Sequence, residues 1–215
     1  MKRMVWIGCI IWMCICHLQA QETDTLFYQK PIDEAIFSRI QGKSYKEGCT
    51  VPLSDLRYLK VMHHNGKGEV CQGELICHRS ISDALLDIFR KLYEAKYPIE
   101  RMVLVDEYGA DDEASMADNN TSAFNFRFVS GTRSLSKHSL GMAIDINPFY
   151  NPYVRKRGGK LLVSPDGAEE YVDRNKSFPY KINRNDLCYK LFKAHGFTWG
   201  GDWKNSKDYQ HFEKK

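Results

Sequence analysis

Two hydrophobic rhythms run through the chain. In the helical one, Leu85, Ile88, Phe89 and Leu92 recur at spacings of three and four, which predicts a helix capped by Ser82 and stopped by Pro98. A shorter helical pattern lies near Asp33 to Ile40. Another is opened by Asn183 or Asn185, with Leu187, Leu191 and Phe192 inward and Gly196 as its C-cap. The two-residue rhythm predicts strands over Leu56 to His63 and Glu69 to Cys77, joined through the turn Asn65-Gly66-Lys67-Gly68 into a hairpin. Arg101 to Val105 reads as a short apolar strand. From Gly141 onward Met142, Ile144 and Ile146 alternate with Ala143, Asp145 and Asn147, a strand with one apolar and one polar face. Strands and helices follow each other without βαβ periodicity. The expected class is therefore α+β, a single domain with a small antiparallel sheet flanked by helices.

The N-terminus departs from this patterning. Lys2 and Arg3 precede an almost wholly apolar run from Met4 to Leu18, and Ala20 supplies a small residue before the polar Gln21-Glu22-Thr23-Asp24. That layout predicts a signal peptide over residues 1–20 and an exported protein, periplasmic or extracellular. Residues 21–95 are then expected as an N-terminal segment and hairpin-helix packed on a core of residues 96–215. With 43% hydrophobic residues the chain can bury such a core, and its net charge of +4 is too small and scattered for a nucleic-acid binder. Beyond the leader no apolar run is long enough to span a bilayer. Cys49, Cys71, Cys77 and Cys188 remain after its removal, and in an exported protein they are candidates for one or two disulfides.

The chemistry concentrates in two stretches. In Ser136-Lys137-His138-Ser139-Leu140-Gly141-Met142-Ala143-Ile144-Asp145, Gly141 permits a tight bend that brings the His138 imidazole to the Asp145 carboxylate, and such a pair can share a metal ion. The second, Trp199-Gly200-Gly201-Asp202-Trp203 through Glu213, contributes His211 with acids on both sides, Asp208 and Glu213. Two histidines and one aspartate leave a fourth tetrahedral position open, as a catalytic zinc requires. A neighbouring carboxylate can then move a proton from water to a leaving amine. Strand geometry puts Glu213 on the face of His211 and Asp208 on the opposite one.

This arrangement resembles the zinc D,D-peptidase family that includes the VanX and VanY enzymes and the L-alanyl-D-glutamate endopeptidases. The signature S-x-H-x-x-G-x-A-x-D followed by [ED]-x-x-H is met by Ser136, His138, Gly141, Ala143, Asp145, Asp208 and His211. The resemblance implies a hedgehog-like α+β fold and one Zn2+ per chain on His138, Asp145 and His211, with Asp208 as general base. Family spacing thus favours Asp208 where strand geometry favours Glu213. The arginine these enzymes often carry upstream is missing from Asp106-Glu107-Tyr108-Gly109, so Arg127 is the candidate for steadying the developing oxyanion, with Arg133 second. Ser136 and Asn147 are expected to orient ligands or substrate. The implied substrates are peptidoglycan stem peptides, cut at a terminal D-Ala-D-Ala or an internal L-Ala-D-Glu bond, by a monomer.

Other chemistries fit less well. Ser134-Leu135-Ser136-Lys137 satisfies the S-x-x-K of serine D,D-peptidases, but the S-D-N and K-T-G partners are missing. Neither H-E-x-x-H nor G-x-S-x-G occurs. A rival from another class is a zinc-stabilised binding module of the same fold without hydrolytic activity.

Overall fold

The computed structural model describes residues 26–129 and 131–215. The expected signal peptide lies outside them. The architecture is α+β, with four helices and small antiparallel sheets among the described residues.

The N-terminal sheet has the order β1-β2-β3, formed by Tyr28–Pro31, Leu56–His64 and Val70–His78. Asn65 closes the β2–β3 turn by accepting from the backbone of Lys67 and Glu69, each at 3.0 Å. Helix α1 (Glu34–Ile40) starts at Asp33, whose carboxylate accepts from Ile36 N. The long helix α2 spans Arg79–Glu94 and buries Leu85, Ile88, Phe89 and Leu92. It begins earlier than expected: β3 runs directly into it, and the His78 ring nitrogen accepts from Ser80 N, so His78 rather than Ser82 is the cap.

Arg101 to Val105 is not a strand. Its backbone groups find single partners: Met102 O accepts from Glu74 N, and the Asn120 side chain takes both the N–H and the carbonyl of Val103. One asparagine amide there replaces a strand neighbour. Helix α3 (Asp112–Ala117) follows, capped by Asp111. The last helix, α4 (Leu187–Ala194), is capped by Asp186 rather than Asn183 or Asn185; it buries Cys188 and Phe192 and leaves Leu187 exposed. Its chain reverses at Gly196, φ +81°.

Two further sheets form the C-terminal half. One has the order β4-β9-β7, from Ala143–Asp145, His211–Glu213 and Thr198–Trp199. The other has the order β6-β5-β8, from Lys160–Ser164, Tyr153–Arg157 and Lys207–Asp208. A single apolar cluster runs from Phe27, Leu59 and Leu75 through α2 to Ile144, Phe192, Trp199 and Phe212, drawing on both sides of residue 95. Strand β4 is consequently enclosed on both faces: Asp145 and Asn147 are as buried as Ile144 and Ile146. The four cysteines among the described residues are free thiols, with Cys77 and Cys188 packed inside this cluster as apolar side chains. No helix among the described residues is long and apolar enough to cross a membrane.

Candidate metal centre

Strands β4 and β9 pair antiparallel with Asp145 directly opposite His211, so one cross-strand position supplies a carboxylate and an imidazole. His138 arrives on the single turn Lys137–Leu140, which Ser136 caps by accepting from His138 N. The turn ends at Gly141, φ +64°, where a Cβ would stand 2.6 Å from His78 N. Only glycine accommodates both that backbone conformation and that approach. The return through Gly141 aims His138 back across Asp145.

The three side chains are buried and converge. His138 Nε2 lies 3.2 Å from Asp145 Oδ2 and 3.2 Å from His211 Nδ1, and His211 Nδ1 lies 3.0 Å from Asp145 Oδ1. The other nitrogen of each ring is engaged outward. His138 Nδ1 sits 2.5 Å from the carbonyl of Ala123, and His211 Nε2 sits 3.2 Å from Glu213 Oε2. Both outward nitrogens therefore donate, which turns two imidazole lone pairs and a carboxylate inward on one point. Three acceptors facing one another require a cation between them. In the metal-free chain a proton supplies it. Burial opposes a charge on His211, but Asp145 and Glu213 outweigh it and hold the imidazole's pKa up to about 10. Burial likewise opposes the Asp145 charge, and the two histidines overcome it, keeping that carboxyl well below the usual range. Two imidazoles and one carboxylate, all donor atoms within 4.8 Å of one another, fit a divalent ion with an open position left over.

Asp208 stands beside this cluster on β8, held in register opposite Tyr153 of β5. Its Oδ1 is sealed from solvent and has no hydrogen-bond partner. Burial, reinforced by the charge of Asp145, pushes its pKa up to about 7 against the pull of His211.

Residues 130–214 match the family model for D-alanyl-D-alanine carboxypeptidases. That segment is similar to this peptidase family. The matched stretch contains the three converging side chains, Gly141 and Asp208, and excludes the N-terminal sheet and α2. No solved structure matches the chain.

In and beside the matched segment the remaining candidates separate by what they touch. Glu213 lies against the outer nitrogen of His211, and that hydrogen bond holds its carboxyl below the ordinary value. Asn147 is turned away from the cluster: its amide bonds Glu100 N and Pro98 O, tying β4 to the segment behind it. Arg127, just outside the matched stretch, pairs with Asp112 at 2.8 Å, and its Nε is buried without a partner. Arg133 is exposed.

The structure adds contributors that sequence reasoning missed. The Ala123 carbonyl fixes the His138 tautomer, and a backbone atom leaves no mark on residue type. Gly200 is more legible in hindsight, because a Cβ there would sit 2.6 Å from Asp208 O and 2.7 Å from Asp208 Cβ. The Gly200-Gly201 pair thus allows the chain to close over Asp208. Trp203 covers the cluster, its ring 5.4 Å from that of His211.

Proposed function

We propose that the protein is an exported zinc metallopeptidase that hydrolyses peptidoglycan stem peptides at a D-Ala-D-Ala or L-Ala-D-Glu bond. The observation that carries this reading is the convergence of three acceptor atoms beside a carboxyl group that keeps one oxygen buried without a partner and is tuned near neutrality. The basic and apolar leader of residues 1–20 supports export, and the family match supports the substrate class.

His138, Asp145 and His211 would hold the ion. When bound, zinc polarises a carbonyl and lowers the pKa of water to about 7. Asp208, as carboxylate, takes a proton from the attacking water while the water oxygen adds to the scissile carbonyl carbon. It returns that proton to the amine nitrogen as the C–N bond breaks. Asp208 is preferred to Glu213 because Glu213 is already committed to His211, where it fixes the tautomer. Arg127 is assigned the oxyanion: Asp112 anchors one edge of its guanidinium while Nε remains available to donate. Ser136 sets the turn that carries His138, and Asn147 holds the β4 strand; both act through position.

The test is incubation of the zinc-loaded protein with defined muropeptides, products read by mass spectrometry with and without chelator. Chelator-sensitive loss of one alanine identifies a carboxypeptidase, and a cut between L-Ala and D-Glu an endopeptidase. Intact tetrapeptide and pentapeptide stems after incubation would overturn the proposal and leave a zinc-stabilised binding module.

A further inference from the structure

The β5–β6 hairpin is the least enclosed element of the C-terminal half. Its base is fixed on two sides. Tyr153 and Val154 pair with Asp208 and Lys207, and Ser164 Oγ and Asp166 N both donate to the Glu113 carboxylate. Past Val154 the arm has no third strand among the described residues. The turn Gly158-Gly159, φ +57° and +77°, closes a two-residue hairpin about 10 Å farther out.

Over Tyr153–Ser164 the arm carries Arg155, Lys156, Arg157 and Lys160 and no acid. Among the described residues no carboxylate forms an ion pair with any of the four. Leu161 and Leu162 stand beside them at 46% and 47% exposure. The register sets Leu161 opposite Lys156 and Leu162 opposite Arg155, so each face of the arm presents one leucine with one cation beside it. Cations on a free strand edge guard against edge pairing, but that does not account for adjacent exposed leucines on both faces. A soluble polyanion would need the cations alone. Leucines on opposite faces of a narrow, cation-rimmed tip suit a phase that surrounds the tip, apolar within and anionic at its border.

We propose that this hairpin is a membrane-docking arm whose tip enters the headgroup layer of an anionic bilayer. The cations meet lipid phosphates and the two leucines enter the acyl boundary. Because Tyr153 and Asp208 are paired, docking would hold the candidate metal centre at a fixed, short distance from the lipid surface. The inference stands on the hairpin's own composition and register, independent of the peptidase reading.

Sedimentation of the whole protein with phosphatidylcholine vesicles, with and without a fraction of phosphatidylglycerol, tests it at low and high salt. The wild type is expected to bind the anionic vesicles at low salt only. The charge variant R155Q/K156Q/R157Q/K160Q should partition at least about a hundredfold more weakly, at roughly fivefold per cation. L161S/L162S should lose about tenfold. All variants share the N-terminus of the wild type, so the differences read the hairpin alone, and far-UV circular dichroism confirms that each is folded. Failure of the wild type to bind anionic vesicles overturns the proposal. So does equal binding by the charge variant. If L161S/L162S binds like the wild type and soluble polyphosphate competes fully, the arm is a polyanion contact and not a membrane one.

Discussion

Both halves of the molecule bury histidines, and they use them differently. In the N-terminal sheet His63 places Nδ1 2.7 Å from the carbonyl of Ile99, and burial lowers its pKa. It is a neutral side chain filling a core. In the C-terminal sheet His138 has the same outward bond, to Ala123, but its second nitrogen faces another imidazole and a carboxylate. A similar contrast holds for the acids. Asp106 is buried with both oxygens accepting from Ser44, whereas Asp208 keeps an oxygen sealed and unpartnered. Burial and one hydrogen bond are common to structural and chemical residues. What distinguishes the second kind is the direction of the group left over.

Substituting the two histidines sharpens that contrast most. His138→Ala should weaken zinc binding by at least about a thousandfold, since one of three ligands is lost. His63→Ala should lower stability by about 1–3 kcal/mol and leave zinc affinity unchanged. Isothermal calorimetry and thermal melts on both variants check this.

Asp208→Asn should keep the metal and reduce turnover by about 10²- to 10⁴-fold. It also makes a prediction for the metal-free chain. A carboxyl whose pKa rises from about 3.9 unfolded to about 7 folded destabilises the fold progressively as pH climbs through that interval. Asp208→Asn should therefore raise the metal-free melting temperature at pH 8 and leave it nearly unchanged at pH 4. A variant with normal turnover would remove Asp208 from the mechanism.

Gly200→Ala should displace the Asp208 strand and cost about a hundredfold in turnover, with zinc content close to normal. Equal activity would show that the loop relaxes around the extra carbon. Glu213→Gln is milder, about ten- to a hundredfold in zinc affinity, because the amide can still accept from His211 but carries no charge. If turnover fell with zinc affinity intact, Glu213 and not Asp208 would be the base.

Much of this site was legible as spacing. His138, Gly141 and Asp145 sit within eight residues, so a local bend sufficed to bring the first two donors together, and His211 lies in the same family signature. The α+β class followed from the irregular alternation of the two hydrophobic rhythms. Local competition between caps was not visible: His78 and Asp186 start α2 and α4 because strand and loop geometry delivers them to the helix ends. The Arg101 to Val105 segment misled because its pattern is apolar and extended, yet Asn120, nearly twenty residues away, takes the place of a neighbouring strand. The alternation in β4 was legible, but that its polar face is also covered, with Asp145 and Asn147 buried, depends on the packed fold. Roles that depend on what a side chain has already bonded, as for Glu213 and Asn147, required coordinates.

The central claim is that one cation belongs among His138, Asp145 and His211, and that a proton occupies that place in its absence. Zinc titration near pH 7, by calorimetry in buffers of differing ionisation enthalpy, tests it most directly. Because His211 keeps its proton up to about pH 10, binding must expel it, so affinity should rise about tenfold per pH unit through neutrality. The account predicts one zinc per chain and one proton released in the wild type, with neither in His138→Ala. Folded wild-type protein that takes up no zinc, or takes it up equally well without His138, would contradict it.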